Sequence, residues 1–340
     1  MPETHKLLTP LQINNLILKN RIVLPPLASE KATNNGKVTN ELLDYYRGRT
    51  GNGLIMVEHC YIDMAGKASA NQLAVNDGNK LEGLKQLASL IKEAGSAAGI
   101  QLAHAGAKAD PEVTGHKSFS PSGVKPPGLE PAYRIEKLSR KKIKELLELY
   151  SRSARIAKAA GFDLIEIHAA HGYLLNQFIS PLTNKREDEY GGSLRNRFRI
   201  IGEVIKSVRE VIGDDFPLAI RLGSDDFEED GLRPAEAAQG IIPYLDSIDL
   251  LDLSGGLKGY GILDKGEEGF TAYLADEFKK HVNETELPPL LIAGGIKTAS
   301  FAEKLLVAGR TELVGIGRAQ LKDKNWPAKA LNELNNNQMG

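Results

Sequence analysis

Cysteine is almost missing from this chain: Cys60 stands alone among 340 residues, which excludes an internal disulfide, a thiolate zinc site and a cysteine-ligated iron–sulfur cluster. Net charge is nearly missing as well. With 43 basic and 44 acidic side chains spread along the sequence, nothing points to nucleic acid or an anionic membrane as a partner. No apolar run approaches membrane-spanning length, and Met1-Pro2-Glu3-Thr4-His5-Lys6 lacks the apolar core of a signal peptide, so a soluble, cytoplasmic protein is expected. Internal repeats, low-complexity tracts and linkers are also lacking. One large domain spanning 1–340 is therefore the expectation.

What the sequence does have is alternation. Short β-branched runs at 21–24, 54–58, 99–103, 163–167, 217–222, 248–253, 289–293 and 313–316 are separated by amphipathic stretches. Those stretches lie at 40–49, 80–97, 140–160, 194–211, 234–245, 271–281 and 300–307, with a last one after Trp326. Eight strands and eight helices in strict alternation define an α/β class, a (β/α)8 barrel. Thr39, Ser139 and Ser193 fit as helix N-caps, and Gly161, Gly213 and Gly309 as helix stops. Residues 9–19, with Asn14-Asn15 between two apolar runs, predict an N-terminal hairpin placed to plug the barrel floor. The segment 104–138, after the third strand, is too long and too rich in Pro, Gly and Ser for a plain connection, which predicts a functional loop.

Chemistry concentrates where the fourth strand ends. Residues 163–167 alternate polar and apolar and run into His168, His171 and Tyr173, at the strand end where barrels keep their active sites. In Leu218-Ala219-Ile220-Arg221-Leu222 an arginine interrupts an apolar strand and must find a partner inside the barrel, either Glu166 next door or an electron-rich ligand ring. Gln101 ends the third strand with an amide suited to a ring edge carrying both carbonyl and N–H groups. Gly294 and Gly295 follow the seventh strand, and Gly317 and Arg318 the eighth. Glycines there let backbone N–H groups approach an anion, and arginine adds a charged fork, so a phosphate-bearing ligand is implied. His168 and His171 with Glu166 could bind a metal, but no third convincing ligand is visible and the phosphate loops would stay unexplained, so no metal is expected. A cofactor-free phosphosugar enzyme would want a lysine or carboxylate base at a strand end, and none is singled out.

Three segments of the sequence carry a resemblance to a known family: Glu166-Ile167-His168-Ala169-Ala170-His171-Gly172-Tyr173-Leu174, Ser180-Pro181-Leu182-Thr183-Asn184-Lys185-Arg186 and Asp188-Glu189-Tyr190-Gly191-Gly192-Ser193. Together with Leu18-Lys19-Asn20-Arg21-Ile22-Val23, Gln101-Leu102-Ala103-His104-Ala105-Gly106 and Gly315-Ile316-Gly317-Arg318, they resemble the Old Yellow Enzyme family of FMN-dependent ene-reductases over nearly the whole chain. The resemblance implies FMN as cofactor and NADPH or NADH as reductant. FMN's phosphate would lie on Gly294, Gly295, Gly317 and Arg318, with Gln101 at the pyrimidine edge and Arg221 near N1 and O2. Pro25, Pro26 and Ala28 would lie against the ring. His168 and His171 would donate to the carbonyl oxygen of an α,β-unsaturated substrate, and Tyr173 would protonate its α-carbon. Nicotinamide and enone would take turns at one face, giving ping-pong kinetics.

Departures from the family pattern bear on substrate. Ala28 stands where many relatives have cysteine or threonine, Glu30 where close bacterial relatives have a substrate-contacting tyrosine, and His59 where a small residue is usual beside the flavin. Ala107 replaces a basic residue after the His-Ala-Gly motif. Glu30 keeps a flavin-dependent amine dehydrogenase or demethylase as the alternative, and a non-catalytic flavin store would not need two histidines and a tyrosine together. The carboxyl end lacks the arginine and aromatic residues that some relatives insert into a partner's site, which argues against a dimer built that way and leaves open a homo-oligomer formed elsewhere. Unlike in larger relatives, neither a cysteine cluster nor a second nucleotide-binding domain is expected after the barrel.

Overall fold

The computed structural model describes residues 5–259, 266–283 and 285–336. The chain enters through β1 (Leu11–Ile13) and β2 (Leu16–Leu18), an antiparallel hairpin turning at Asn14, whose φ of +52° suits asparagine. Then come β3 (Ile22–Leu24), β4 (Leu54–Tyr61) and β5 (Ala97–Ala103). The short β6 (Ser118–Ser120) and β7 (Ile135–Lys137) pair with each other within the long connection, followed by β8 (Leu164–Ala169) and β9 (Leu218–Gly223). The set ends with β10 (Leu250–Ser254), β11 (Leu290–Ala293) and β12 (Leu313–Gly315). Eight of them close in the order β3-β4-β5-β8-β9-β10-β11-β12. All neighbours pair parallel, as expected of a (β/α)8 barrel.

Helices start at Thr39, Ser139 and Ser193 because each hydroxyl accepts a backbone N–H three residues on, from Leu42, Lys142 and Asn196. Three helices stop earlier than periodicity suggests. Gly48 and Gly95, at φ +79° and +77°, end the first two at Tyr46 and Glu93. Pro243 has no N–H to donate, and the helix begun at Pro234 tightens into a 3-10 turn from Ile242.

The barrel interior is layered. At its floor Val23, Leu54, Leu164, Ala219, Leu250, Leu291 and Leu313 form an apolar disc, closed from below by Ile13 and Leu18 of the hairpin. One layer up the interior turns polar, with Gln101, Glu166, Arg221 and Asp252 all buried. A larger apolar shell joins the outer faces of the strands to the helices. Among the described residues no helix is long and apolar enough to cross a membrane.

Candidate active site

His168 is the fifth residue of β8, and parallel pairing sets it level with Arg221 of β9, which is in turn level with Asp252 of β10. Its ring packs 5.1 Å from that of His171 and 5.0 Å from that of Tyr173, centroid to centroid. His171 lies just past the strand with φ at +56°, a conformation rare outside glycine. Contacts with three described residues hold it there. Its N–H donates to the Gly255 carbonyl (3.1 Å), its carbonyl accepts from Lys108 Nζ (2.7 Å), and its Nε2 lies 2.7 Å from Ser254 Oγ. The turn is fastened from behind by Asn176, which accepts the Gly172 N–H, and by Gln177, which donates to the Gly172 carbonyl, both at 2.7 Å.

Burial pushes both imidazoles well below their usual pKa. His171 and Arg221 add to the effect at His168, and Arg221 and Lys108 at His171. Each ring is therefore neutral at pH 7 and offers one N–H. Burial, helped by the Glu30 charge, raises the Tyr173 phenol above its ordinary range, so it keeps its proton. His168 Nδ1 is buried with no hydrogen-bond partner among the described residues, the state of a polar atom shaped for a ligand.

Beneath this trio the carboxylate that Arg221 meets is Asp252, not the candidate Glu166. Arg221 Nε sits 3.2 Å from Asp252 Oδ2, and Glu166 instead accepts from Gln101 Nε2 at 2.6 Å. Register is the reason: Glu166 is level with Ala219, two residues below Arg221, while Asp252 is directly alongside. Burial raises both carboxyls, and the Asp252 charge raises Glu166 further. The guanidinium favours the ionised form of each. One amide N–H of Gln101 is thus committed to Glu166.

His59 enters the site through a β-bulge. Along β4, Leu54 and Met56 face the interior, so strict alternation would bring Glu58 inward. The register instead jumps from Val57 opposite Ile100 to His59 opposite Gln101. The His59 ring lies 5.7 Å from that of Tyr173, and burial lowers its pKa to about 4. Glu30 is at the rim, exposed, with φ at +56°. Its carboxylate accepts from the Ser69 hydroxyl and from the Asn71 N–H (3.3 Å), while its charge raises both His59 and Tyr173.

Across the mouth, β3, β11 and β12 enclose a cavity of about 530 Å³ bordered by Pro25, Leu27, Gly294, Gly295, Gly317 and Arg318, within the roughly 300–1,000 Å³ usual for small-ligand sites. Pro26 and Ala28 continue from Pro25 along the rim, half-buried and exposed. Gly295 adopts φ +67°, and a Cβ there would meet the Glu267 carbonyl at 2.7 Å, so packing alone demands glycine. Gly317 differs. A Cβ there would meet nothing nearer than 3.5 Å, so the missing side chain opens the cradle instead of relieving a clash. Open backbone at Gly317, Arg318 beside it, and the unpartnered His168 nitrogen across the mouth fit a flat ligand with a phosphate tail.

Asp252, Ser254, Lys108, Asn176 and Gln177 went unnoticed in the sequence. Asp252 carried the same signal as Arg221, a charge interrupting an apolar strand, and the two amides stand in the otherwise apolar run Leu174–Ile179. Lys108 follows Ala107, so a cation is present one residue beyond the place where it was missed. The charges after Ser180 brace a loop: Arg186 forks onto Asp188 at 2.9 and 2.6 Å and reaches the Pro121 and Leu138 carbonyls.

An α/β barrel with a phosphate-sized cradle on its last strands and a neutral donor pair opposite defines a nucleotide-cofactor barrel enzyme. Comparison narrows the class. Residues 6–337 match the family model of the NADH:flavin oxidoreductase / NADH oxidase family. The chain is 38% identical over 329 residues to an NADH oxidase of Thermoanaerobacter brockii, covering 94% of this chain but 50% of that one. It is 37% identical over 336 residues to an NADPH dehydrogenase of Geobacillus sp. (strain WCH70), covering 96% and 94%. The solved Old Yellow Enzyme homologue from Zymomonas mobilis superposes with a TM-score of 0.83 at 27% identity, covering 96% of this chain and 92% of that one. The chain belongs to the NADH:flavin oxidoreductase / NADH oxidase family, the Old Yellow Enzyme group, with FMN as cofactor and NAD(P)H as reductant.

Proposed function

We propose that this enzyme reduces the activated C=C bond of α,β-unsaturated carbonyl compounds in a ping-pong cycle. The observation that carries the reading is the packing of the neutral His168 ring against both the His171 imidazole and the protonated Tyr173 phenol at the mouth, opposite the cradle of β11 and β12. When bound, FMN would supply the two-electron hydride chemistry between nicotinamide nucleotide and substrate. The protein does the rest. Gly294, Gly295, Gly317 and Arg318 would hold the phosphate, Pro25, Pro26 and Ala28 would border the ring, and Gln101, Arg221 and His59 would line its polar edge. His168 and His171 each donate one N–H to the carbonyl oxygen, drawing electron density from the β-carbon. Tyr173 delivers its proton to the α-carbon, a role that its raised pKa suits because the phenol stays protonated.

The amine alternative leaned on Glu30 as a cation-binding group. That carboxylate turns to Ser69 and Asn71 at the rim, so the enone reading accounts for more of the site. Anaerobic mixing of the holoenzyme with NADPH or NADH, then with cyclohexenone, tests it. Flavin colour is expected to bleach and return. Tyr173→Phe is expected to slow the return on the order of 10²-fold and to leave the bleaching unchanged. Equal losses in both steps refute the proton-donor role, and no return with any enone refutes the function.

A further inference from the structure

Ser254 ends β10 fully buried, and its hydroxyl touches two polar groups. Arg221 Nη2 is 3.4 Å away and His171 Nε2 2.7 Å. A guanidinium only donates, so Arg221 occupies a lone pair of Oγ and cannot receive the hydroxyl hydrogen. Were His171 also to donate from Nε2, Oγ would accept twice and its own hydrogen would be buried with no acceptor among the described residues, an arrangement that proteins avoid.

We propose that Ser254 sets the tautomer of His171: the hydroxyl donates to Nε2, the ring's single proton resides on Nδ1, and Nδ1–H is the group that His171 presents to a substrate oxygen. Ser254 is a positioning residue acting through His171, and Arg221 acts on it in turn by orienting the hydroxyl. The low pKa of His171 makes the choice matter, because a neutral ring has only one N–H to place. Lys108 and Gly255 complete the arrangement by holding the backbone of His171 in its left-handed turn. The last clause of the proposal rests on the enone reading; the tautomer itself does not.

Nitrogen-15 spectra of histidine-labelled FMN-loaded enzyme, with His171 assigned by its loss in His171→Gln, read the tautomer directly. The expected spectrum shows a protonated Nδ1 and an unprotonated Nε2. In Ser254→Ala the proton is expected to shift toward Nε2, while in Ser254→Cys, a weaker donor, the native form is partly kept. Retention of bound FMN in both variants shows that they fold. Phenol affinity, followed by its charge-transfer absorbance, is expected to fall about tenfold in Ser254→Ala. Protonation at Nε2 in the unmodified enzyme, or the same spectrum with and without the hydroxyl, overturns the proposal. A shifted proton with unchanged phenol affinity overturns only the placing of His171 at the acceptor oxygen, and with it the site proposed for the enone.

Discussion

Glu58 shows how one residue's surroundings set its chemistry. The bulge that turns His59 inward turns Glu58 out of the barrel interior, where its carboxylate accepts the Ser29 N–H (2.9 Å) and its own N–H donates to Tyr46 Oη (3.0 Å). Burial outweighs those contacts and lifts its pKa from 4.5 to about 7. A carboxyl raised in the folded state binds a proton that the unfolded chain has released, so its contribution is complete below pH 4.5 and lost as pH rises through about 7. The loss amounts to roughly 2–4 kcal/mol. Glu58→Gln removes the titration, and thermal melts of the two proteins are expected to diverge in favour of the glutamine variant between these pH values. Parallel curves across that window count against the raised pKa. Asp252 teaches the complementary point. Its charge was as visible as that of Arg221, but pairing the two required the register between β9 and β10, and one-dimensional alternation offered Glu166 instead.

Elements were legible where local rules decide them. All eight barrel strands, the three hydroxyl N-caps and the hairpin lie where periodicity and turn residues place them. Misplaced helix ends trace to glycines at positive φ and to Pro243, local signals outweighed by longer amphipathic patterns. β6 and β7 were missed because three-residue strands that pair only with each other carry almost no pattern. The hairpin offers a clean stability test. Leu18 is fully buried in the barrel floor whereas its neighbour Ile17 is 69% exposed. Leu18→Ala is expected to cost about 2–5 kcal/mol in urea unfolding, and Ile17→Ala less than about 0.5 kcal/mol. Equal effects would mean that the hairpin is not a floor.

Across the whole molecule, one side of the barrel mouth carries the cradle and the other the imidazoles and phenol, so FMN binding and folding are linked. Ligand at about 100 times its Kd stabilises the folded state by roughly 2.7 kcal/mol, and added FMN is expected to raise the Tm accordingly. Gly317→Ala places one methyl group in the open cradle with no neighbour nearer than 3.5 Å; it is expected to keep the FMN-free Tm and lose most of the rise. A full rise in that variant would move the phosphate elsewhere.

The sequence by itself determined the barrel, its order of strands and helices, and the identity of the histidines, tyrosine and glycines around its mouth, because these follow from periods of two and 3.6 and from backbone preferences that neighbouring residues set. Only the tertiary structure decided that Arg221 meets Asp252, that His59 faces inward at Glu58's expense, and that Ser254 and Lys108 clasp His171. Those outcomes depend on strand register and on a single inserted residue, which bring together groups up to 83 positions apart and leave no periodic trace along the chain.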